Sequence, residues 1–229
     1  MVAPLPNAPT QLDPAARMQA LEARLLDATA VHVEFEISAS IDGAGAAGDT
    51  TLRGVLSLDR SGRILLAAGG TFAGAVGEVH FECDGTTMRG TAGKGRFELP
   101  CAPELGPAVL LGLTRMGVLH NIARLWSARP PDHADGGVDE WVTTTAHARA
   151  RDDSDDALGF EIAVDGQRVG SAVLELDAVG VPHVREQVVD FPGGAMHVVE
   201  RYEAFAIDGD MPTAAPASTS APPVGGARG

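Results

Sequence analysis

Aromatic residues, positive charge and long hydrophobic runs are all scarce in this sequence of 229 residues. Aromatics make up only 4% of the chain, so the core has to be filled mainly by Val, Leu, Ile and Ala. The formal net charge is -14 and no cluster of Lys and Arg offsets it, so a phosphate backbone would repel the protein. We therefore expect no binding to nucleic acid. The apolar runs fall far short of the ~20 residues that span a bilayer, so we also expect no transmembrane segment.

Cysteine is limited to Cys83 and Cys101, and this small number leaves the compartment open. An even count permits one disulfide, but two free thiols are equally common in a cytosolic protein. Residues 1–11 lack the basic and apolar regions of a signal peptide. The chain is therefore either cytosolic or the mature form of an exported protein. In the exported case, we expect the two cysteines to lie close enough to form a bridge.

No recognisable catalytic or metal-binding motif occurs in the sequence. Its seven histidines include no pair at the i,i+4 spacing of a helical metal site, and no Cys-x-x-Cys is present. The acidic run 152–156 lacks the Gly and terminal Glu of an EF-hand loop, which favours a solvated turn. Residues 90–95 have the wrong spacing for a phosphate-binding loop. We expect no metal, no cofactor and no enzymatic activity; a small hydrolase or isomerase is the third and weakest hypothesis.

Hydrophobic periodicity predicts one helix followed by many strands. Asp13 and Pro14 have the residue types of a helix N-cap and first turn, and Met18, Leu21 and Leu25 form one apolar stripe. At Val31 the period changes to strict alternation of apolar and polar residues, which is typical of a half-buried strand. The predicted strands cover residues 31–42, 52–58, 64–67, 79–83, short stretches around Met88 and Phe97, and residues 138–149, 158–164, 173–176, 184–191 and 196–205.

A second predicted helix, over residues 107–126, is apolar on more than one face. It contains Gly112 and Gly117, and interior glycines cost ~1 kcal/mol each relative to Ala. A helix of this kind must be covered on two sides, or must itself cover an apolar surface. Two interpretations stay open: an ordinary packed core, and a cavity lined by aliphatic side chains that could accept an acyl chain.

The order of these elements predicts an α+β fold. Strands joined by short turns form antiparallel meanders, and alternating strands bury only one face. We therefore predict a highly curved antiparallel β-sheet, an incomplete barrel, with helices covering its concave face. The expected organisation is a disordered segment at residues 1–12, one domain at 13–207 and a flexible Pro/Ala/Ser/Gly tail at 208–229.

Several stretches resemble the LolA-like periplasmic lipoprotein carriers, whose relatives include lipid-binding envelope lipoproteins and a sigma-factor regulatory sensor domain. Residues 21–27 running into 31–35 resemble the first helix and strand of that family. Residues 54–63 resemble its Gly-x-Leu-x-x-x-Arg-Pro stretch, with Ser61 where proline is usual, and residues 83–88 resemble its Ser-Asp-Gly-Lys-Thr-Leu turn. Residues 160–176 and 182–202 resemble its closing meander. The resemblance spans residues 14–205.

This resemblance implies a half-barrel that binds acyl chains without catalysis, and it maps the family's lid-contacting arginine onto Arg60. We therefore expect a monomeric, periplasmic or secreted carrier of lipoproteins or other amphiphiles, with a protein acceptor as a further partner; a cytoplasmic location stays open. The alternative is a sensor or scaffold domain that binds a protein partner on the same fold. The expected cavity residues are Val33, Phe35, Leu56, Leu58, Val79, Phe81, Leu113, Met116, Phe160 and Ile162.

Overall fold

The computed structural model of the protein describes residues 14–72, 74–92, 95–101, 104–126, 142–147, 157–164 and 167–209. The predicted N-terminal segment 1–12, the N-cap Asp13, the acidic turn 152–156 and all but the first two residues of the predicted tail lie outside the described residues.

The helices confirm one prediction and correct another. Helix α1 spans Pro14–Asp27 and buries Met18, Leu21 and Leu25, as its apolar stripe predicts. The single helix predicted over 107–126 is wrong, because the segment forms α2 (Leu105–Arg115) and α3 (Gly117–Trp126). The helix is interrupted at Gly117, whose φ of 85° lies in the left-handed region that favours glycine.

The described residues form eleven strands, and the first of them shows the alternation of a buried and an exposed face most clearly. In this strand, Val33, Phe35 and Ile37 are fully buried whereas Glu34 and Glu36 are exposed. The strands are β1 (Ala30–Ile41), β2 (Thr50–Asp59), β3 (Arg63–Phe72), β4 (Ala75–Asp84), β5 (Thr87–Ala92), β6 (Gly95–Pro100), β7 (Val142–His147), β8 (Ala157–Val164), β9 (Gln167–Leu176), β10 (Pro182–Phe191) and β11 (Gly194–Ile207).

All eleven strands belong to one antiparallel sheet with the order β6-β5-β4-β3-β2-β1-β11-β10-β9-β8-β7. Two meanders, β1–β6 and β7–β11, are joined at the centre because the first strand pairs with the last. Helices α2 and α3 lie in the chain between the two meanders. The sheet is open and curled, and its buried face packs against the helices around one hydrophobic core. The predicted α+β incomplete barrel is confirmed.

Candidate functional site

A cavity of about 580 Å³ lies between α3 and the ends of six strands. This volume falls within the range of about 300–1,000 Å³ that is typical of small-molecule sites. Most of its lining is aliphatic or aromatic. The apolar lining residues are Ile41, Phe72, Met116, Leu119, Ala123, Val169, Val189, Phe191, Met196 and Val198.

The roof of the cavity is one face of α3. Leu119 and Ala123 lie four residues apart and therefore on the same side of α3, with His120 next to Leu119. Met116, in the break between α2 and α3, extends this apolar surface. The floor follows the two-residue period of a strand, with Gln187 and Val189 on β10 and with Met196 and Val198 on β11. Helical and strand periodicity therefore aim two apolar surfaces at the same space.

The mouth of the cavity is formed near the turn between β10 and β11. Phe191 lines the cavity and remains 49% exposed, which is unusual for a large aromatic side chain. The neighbouring Asp190 also lines the cavity and is exposed. The polar side chains of the lining are those of Thr50, His120, Gln187 and Asp190. An amphiphile could place its apolar chain inside and its polar group beside these residues.

The structure brings the ten predicted cavity residues together in one hydrophobic core, where each is at most 8% exposed. Met116 also lines the large cavity. Leu58 lines a smaller one of about 290 Å³, which lies at the opposite end of β1 and β2 beside α1 and the start of α2. Val33, Phe35 and Leu56 are fully buried in the packed interior. The structure thus combines both interpretations of the sequence: a packed centre with open space at its ends.

Arg60 lies beside the smaller cavity, where Gly106, Pro107 and Leu110 of α2 also contribute to the lining. Its guanidinium donates a hydrogen bond to the backbone carbonyl of Asp27, the last residue of α1. Among the described residues, the hydrogen bonds of the Arg60 side chain reach neither α2 nor α3. The helices that cover the sheet are instead held by side chains that the sequence analysis did not single out.

Arg185 on β10 holds the C-terminal end of α2. Its side chain is fully buried, and Nη1 and Nη2 donate to the backbone carbonyls of Thr114 and Arg115, each at 2.6 Å. The guanidinium also lies over the Phe160 ring, 5.1 Å from its centroid. Burial lowers the pKa of Arg185 from its ordinary value, while Tyr202 and Glu200 oppose this shift. The cation therefore satisfies carbonyls that the helix leaves unpaired.

Glu200 on β11 holds the N-terminal end of α3. Its carboxylate is fully buried and accepts hydrogen bonds from the backbone N–H groups of Val118 and Leu119, each at 2.8 Å. The Tyr202 hydroxyl donates to the same carboxylate at 2.8 Å. Burial raises the pKa of Tyr202 well above its ordinary value. A Cβ on Gly117 would lie only 2.6 Å from Glu200 Oε1, so this contact requires glycine.

The three helices are also tied to one another. Arg115 of α2 donates to both carboxylate oxygens of Glu22 in α1, at 2.8 and 3.0 Å. The Asn121 side-chain amide of α3 donates to the Val109 carbonyl of α2 at 3.0 Å. Close approach at this crossing depends on Gly112, since a Cβ there would lie 2.4 Å from Asn121 Oδ1. Helices α2 and α3 therefore form one packed pair over the sheet.

A sequence signal for Arg185 and Glu200 does exist. Arg185 and Gln187 are in phase with the buried Val189, and Glu200 is in phase with the buried Val198 and Tyr202. A charged residue at an inward position of a strand must find a partner, because burying an isolated charge is costly. That signal predicts a buried polar network, but not which helix ends the network holds.

The two cysteines are close in space. Cys83 lies in β4, Cys101 follows β6, and the structure joins them in a disulfide with a Cα–Cα distance of 6.5 Å. This distance is within the range that a disulfide bridges without backbone movement. The bond ties the chain just before α2 to the sheet.

In the described part of the chain, no group of three or more His, Cys, Asp or Glu side chains has a geometry that could hold a metal ion. No helix in those same segments is long and apolar enough to cross a membrane.

Comparison with known proteins returns similarity only to solved structures, because neither a protein-family profile nor a curated protein matches the chain. A LolA superfamily protein from Nitrosomonas europaea is 8% identical with a TM-score of 0.46, over 88% of this chain and 96% of that one. The lipoprotein LppX of Mycobacterium tuberculosis is 13% identical with a TM-score of 0.40, over 83% and 96%. The Pseudomonas aeruginosa MucA/MucB complex matches at 14% identity and a TM-score of 0.34, over 90% and 59%.

The first of these structures is described as a LolA superfamily protein, the family that the sequence motifs resemble. At such low identities and scores the similarity concerns the fold, and it identifies neither a ligand nor a partner.

Proposed function

We propose that this protein is a non-enzymatic carrier that holds the acyl chain of an amphiphile in the cavity between α3 and the sheet. The observation that supports this proposal is the cavity of about 580 Å³, whose roof and floor are formed mostly by aliphatic side chains. Such a surface suits an alkyl chain, because each buried methylene contributes ~0.8 kcal/mol without needing a polar partner. Asp190 and Phe191 are exposed at the mouth of the cavity, where the polar group of the ligand can reach solvent.

The site of action is proposed to be the bacterial envelope, with lipoproteins or other acyl amphiphiles as cargo and a protein acceptor downstream. The Cys83–Cys101 disulfide supports this location, because disulfides persist in oxidising compartments such as the periplasm and are rare in the cytosol.

The experiment is a titration with a fluorescent long-chain acyl probe, using two matched variants. Ala123 on α3 and Ala178 in the turn between β9 and β10 are both exposed, but only Ala123 lines the cavity. Ala123→Phe places a ring at the edge of the cavity, and Ala178→Phe adds the same exposed side chain away from it. We expect wild type and Ala178→Phe to bind at micromolar or better affinity, and Ala123→Phe to bind at least about tenfold more weakly, a loss of about 1.4 kcal/mol.

Equal binding by the two variants would remove this cavity from the mechanism. If no amphiphile binds, and native mass spectrometry of the purified protein shows no co-purified lipid, the carrier proposal is contradicted. The scaffold that binds a protein partner would then be the better account.

A further inference from the structure

One polar group in the cavity has a fixed orientation and an unused donor. Gln187 lines the cavity and is only 6% exposed. Its Oε1 accepts hydrogen bonds from Nε and Nη2 of Arg185, at 2.9 and 2.7 Å. A guanidinium can only donate, so these bonds establish which end of the amide is the oxygen. The amide Nε2 is then the polar atom that Gln187 offers to the cavity, and it donates to no group among the described residues.

We propose that Gln187 Nε2 donates to a carbonyl oxygen of the ligand, so that the cavity selects uncharged acyl esters over free fatty acids. This inference rests on the proposed carrier function and adds the chemical class of the ligand. A ligand that fills the cavity displaces water from this N–H, and that loss is costly unless the ligand supplies an acceptor such as a carbonyl oxygen. An ester carbonyl meets this need while it carries no charge.

The charges around the cavity argue against a free carboxylate. Arg185 contacts the lining residue Gln187, but its donors are used by α2 and by Gln187, and Glu200 opposes its charge from the neighbouring strand. Among the described residues, the cavity lining includes no Lys or Arg, and Asp190 adds a carboxylate to it. A fatty-acid carboxylate placed there would lose its water without gaining a cation. An uncharged acyl ester loses much less hydration free energy when it enters the cavity.

The test compares three ligands with the same chain length: palmitoyl glycerol, its ether analogue hexadecyl glycerol, and palmitate. Affinities are measured by displacement of a fluorescent acyl ester at about pH 8, where an unperturbed histidine side chain is neutral. For wild type we expect the ester to bind about threefold to tenfold more tightly than the ether, the usual effect of one neutral hydrogen bond. We expect palmitate to bind at least about tenfold more weakly than the ester.

Gln187→Glu is the decisive variant, because it keeps an oxygen for Arg185 and replaces the N–H₂ donor with an acceptor oxygen that carries negative charge. We expect it to bind the ester no more tightly than the ether. Asp190→Asn is the second variant; it should strengthen palmitate binding and leave the ratio of ester to ether unchanged. Thermal unfolding establishes that both variants are folded, and the comparison of ligands on wild type stands even if one variant is not.

Three results would overturn the inference: equal binding of ester and ether by wild type, an ester preference that survives in folded Gln187→Glu, or palmitate binding as tightly as palmitoyl glycerol. If none of the three ligands binds to wild type, the carrier function itself fails and this inference fails with it. If all three bind equally, the carrier stands and only the role of Gln187 is contradicted.

Discussion

Arg185 and Glu200 lie opposite each other on β10 and β11, and each side chain holds the end of a different helix. The cation meets the C-terminal carbonyls of α2, and the anion meets the N-terminal N–H groups of α3. Both contacts have the sign that the helix dipole favours. Because α3 is the roof of the cavity, this pair sets the position of the roof relative to its floor. The pair therefore links the stability of the fold to the shape of the site.

Loss of the buried cation should be strongly destabilising. Arg185→Met leaves two α2 carbonyls unpaired and removes the positive charge that balances the buried Glu200 carboxylate, so we expect a loss of roughly 3–5 kcal/mol in the free energy of unfolding. The matched control is Arg53→Met, because Arg53 makes exposed ion pairs with Glu36 and Glu203 on the outer face of the sheet. Exposed ion pairs contribute little to stability, and the Arg53→Met variant should therefore unfold like wild type. Urea denaturation measures the free energy of unfolding of both variants. Similar losses of stability in the two would contradict the anchoring role of Arg185.

The break between α2 and α3 should tolerate no side chain. Gly117→Ala combines a left-handed backbone with a Cβ at 2.6 Å from Glu200 Oε1, so we expect destabilisation by roughly 1–3 kcal/mol. Gly106→Ala in α2 is the control, because no atom lies within 4 Å of its added Cβ and its backbone is not left-handed. That change should stabilise the protein by about 0.4–1 kcal/mol. A lower melting temperature for Gly117→Ala and a higher one for Gly106→Ala would support the requirement for glycine at this break. An unchanged melting temperature for Gly117→Ala would contradict it.

The disulfide should be present in protein purified from an oxidising compartment. Alkylation after unfolding without reductant should then label neither Cys83 nor Cys101, and mass spectrometry after reduction should show two labels. The bond closes a loop with a sequence separation of 18 residues, so reduction should cost about 3 kcal/mol of stability on the chain-entropy estimate. Two labels before reduction would contradict the bond and would remove the support it gives to an envelope location.

Part of the acid sensitivity should come from Asp84. Its carboxylate accepts hydrogen bonds from Thr86 and Thr87, which hold its pKa below the ordinary value. A carboxylate with a lowered pKa adds stability above its unfolded-state pKa of about 3.9, and this contribution disappears as the pH falls through the folded-state pKa. The difference in melting temperature between wild type and Asp84→Asn should therefore be constant above about pH 5 and shrink below about pH 4. Parallel curves down to low pH would refute this role.

The sequence predicts the sheet well because alternation reports burial directly. Val33, Phe35 and Ile37 are inward as their period requires, and α1 follows its apolar stripe. Hydrophobic periodicity does not predict the break at Gly117, because apolar residues continue through it. Only the backbone conformation and the close approach of Glu200 explain why glycine is there. Periodicity does not predict the cavity either, for a related reason. Leu113 and Met116 both belong to the apolar face of the one helix predicted over residues 107–126, and only packing decides which of them faces open space.

The most direct test of the carrier proposal is to locate the bound chain. In protein with labelled methyl groups and bound palmitoyl glycerol, nuclear Overhauser effects should connect the acyl chain to Met116, Leu119, Val189 and Val198, which line the roof and floor of the cavity. The exposed Val76 should show none. Overhauser effects confined to Val76 and other outward-facing methyl groups, or none to any of the four lining residues at saturating ligand, would contradict the account.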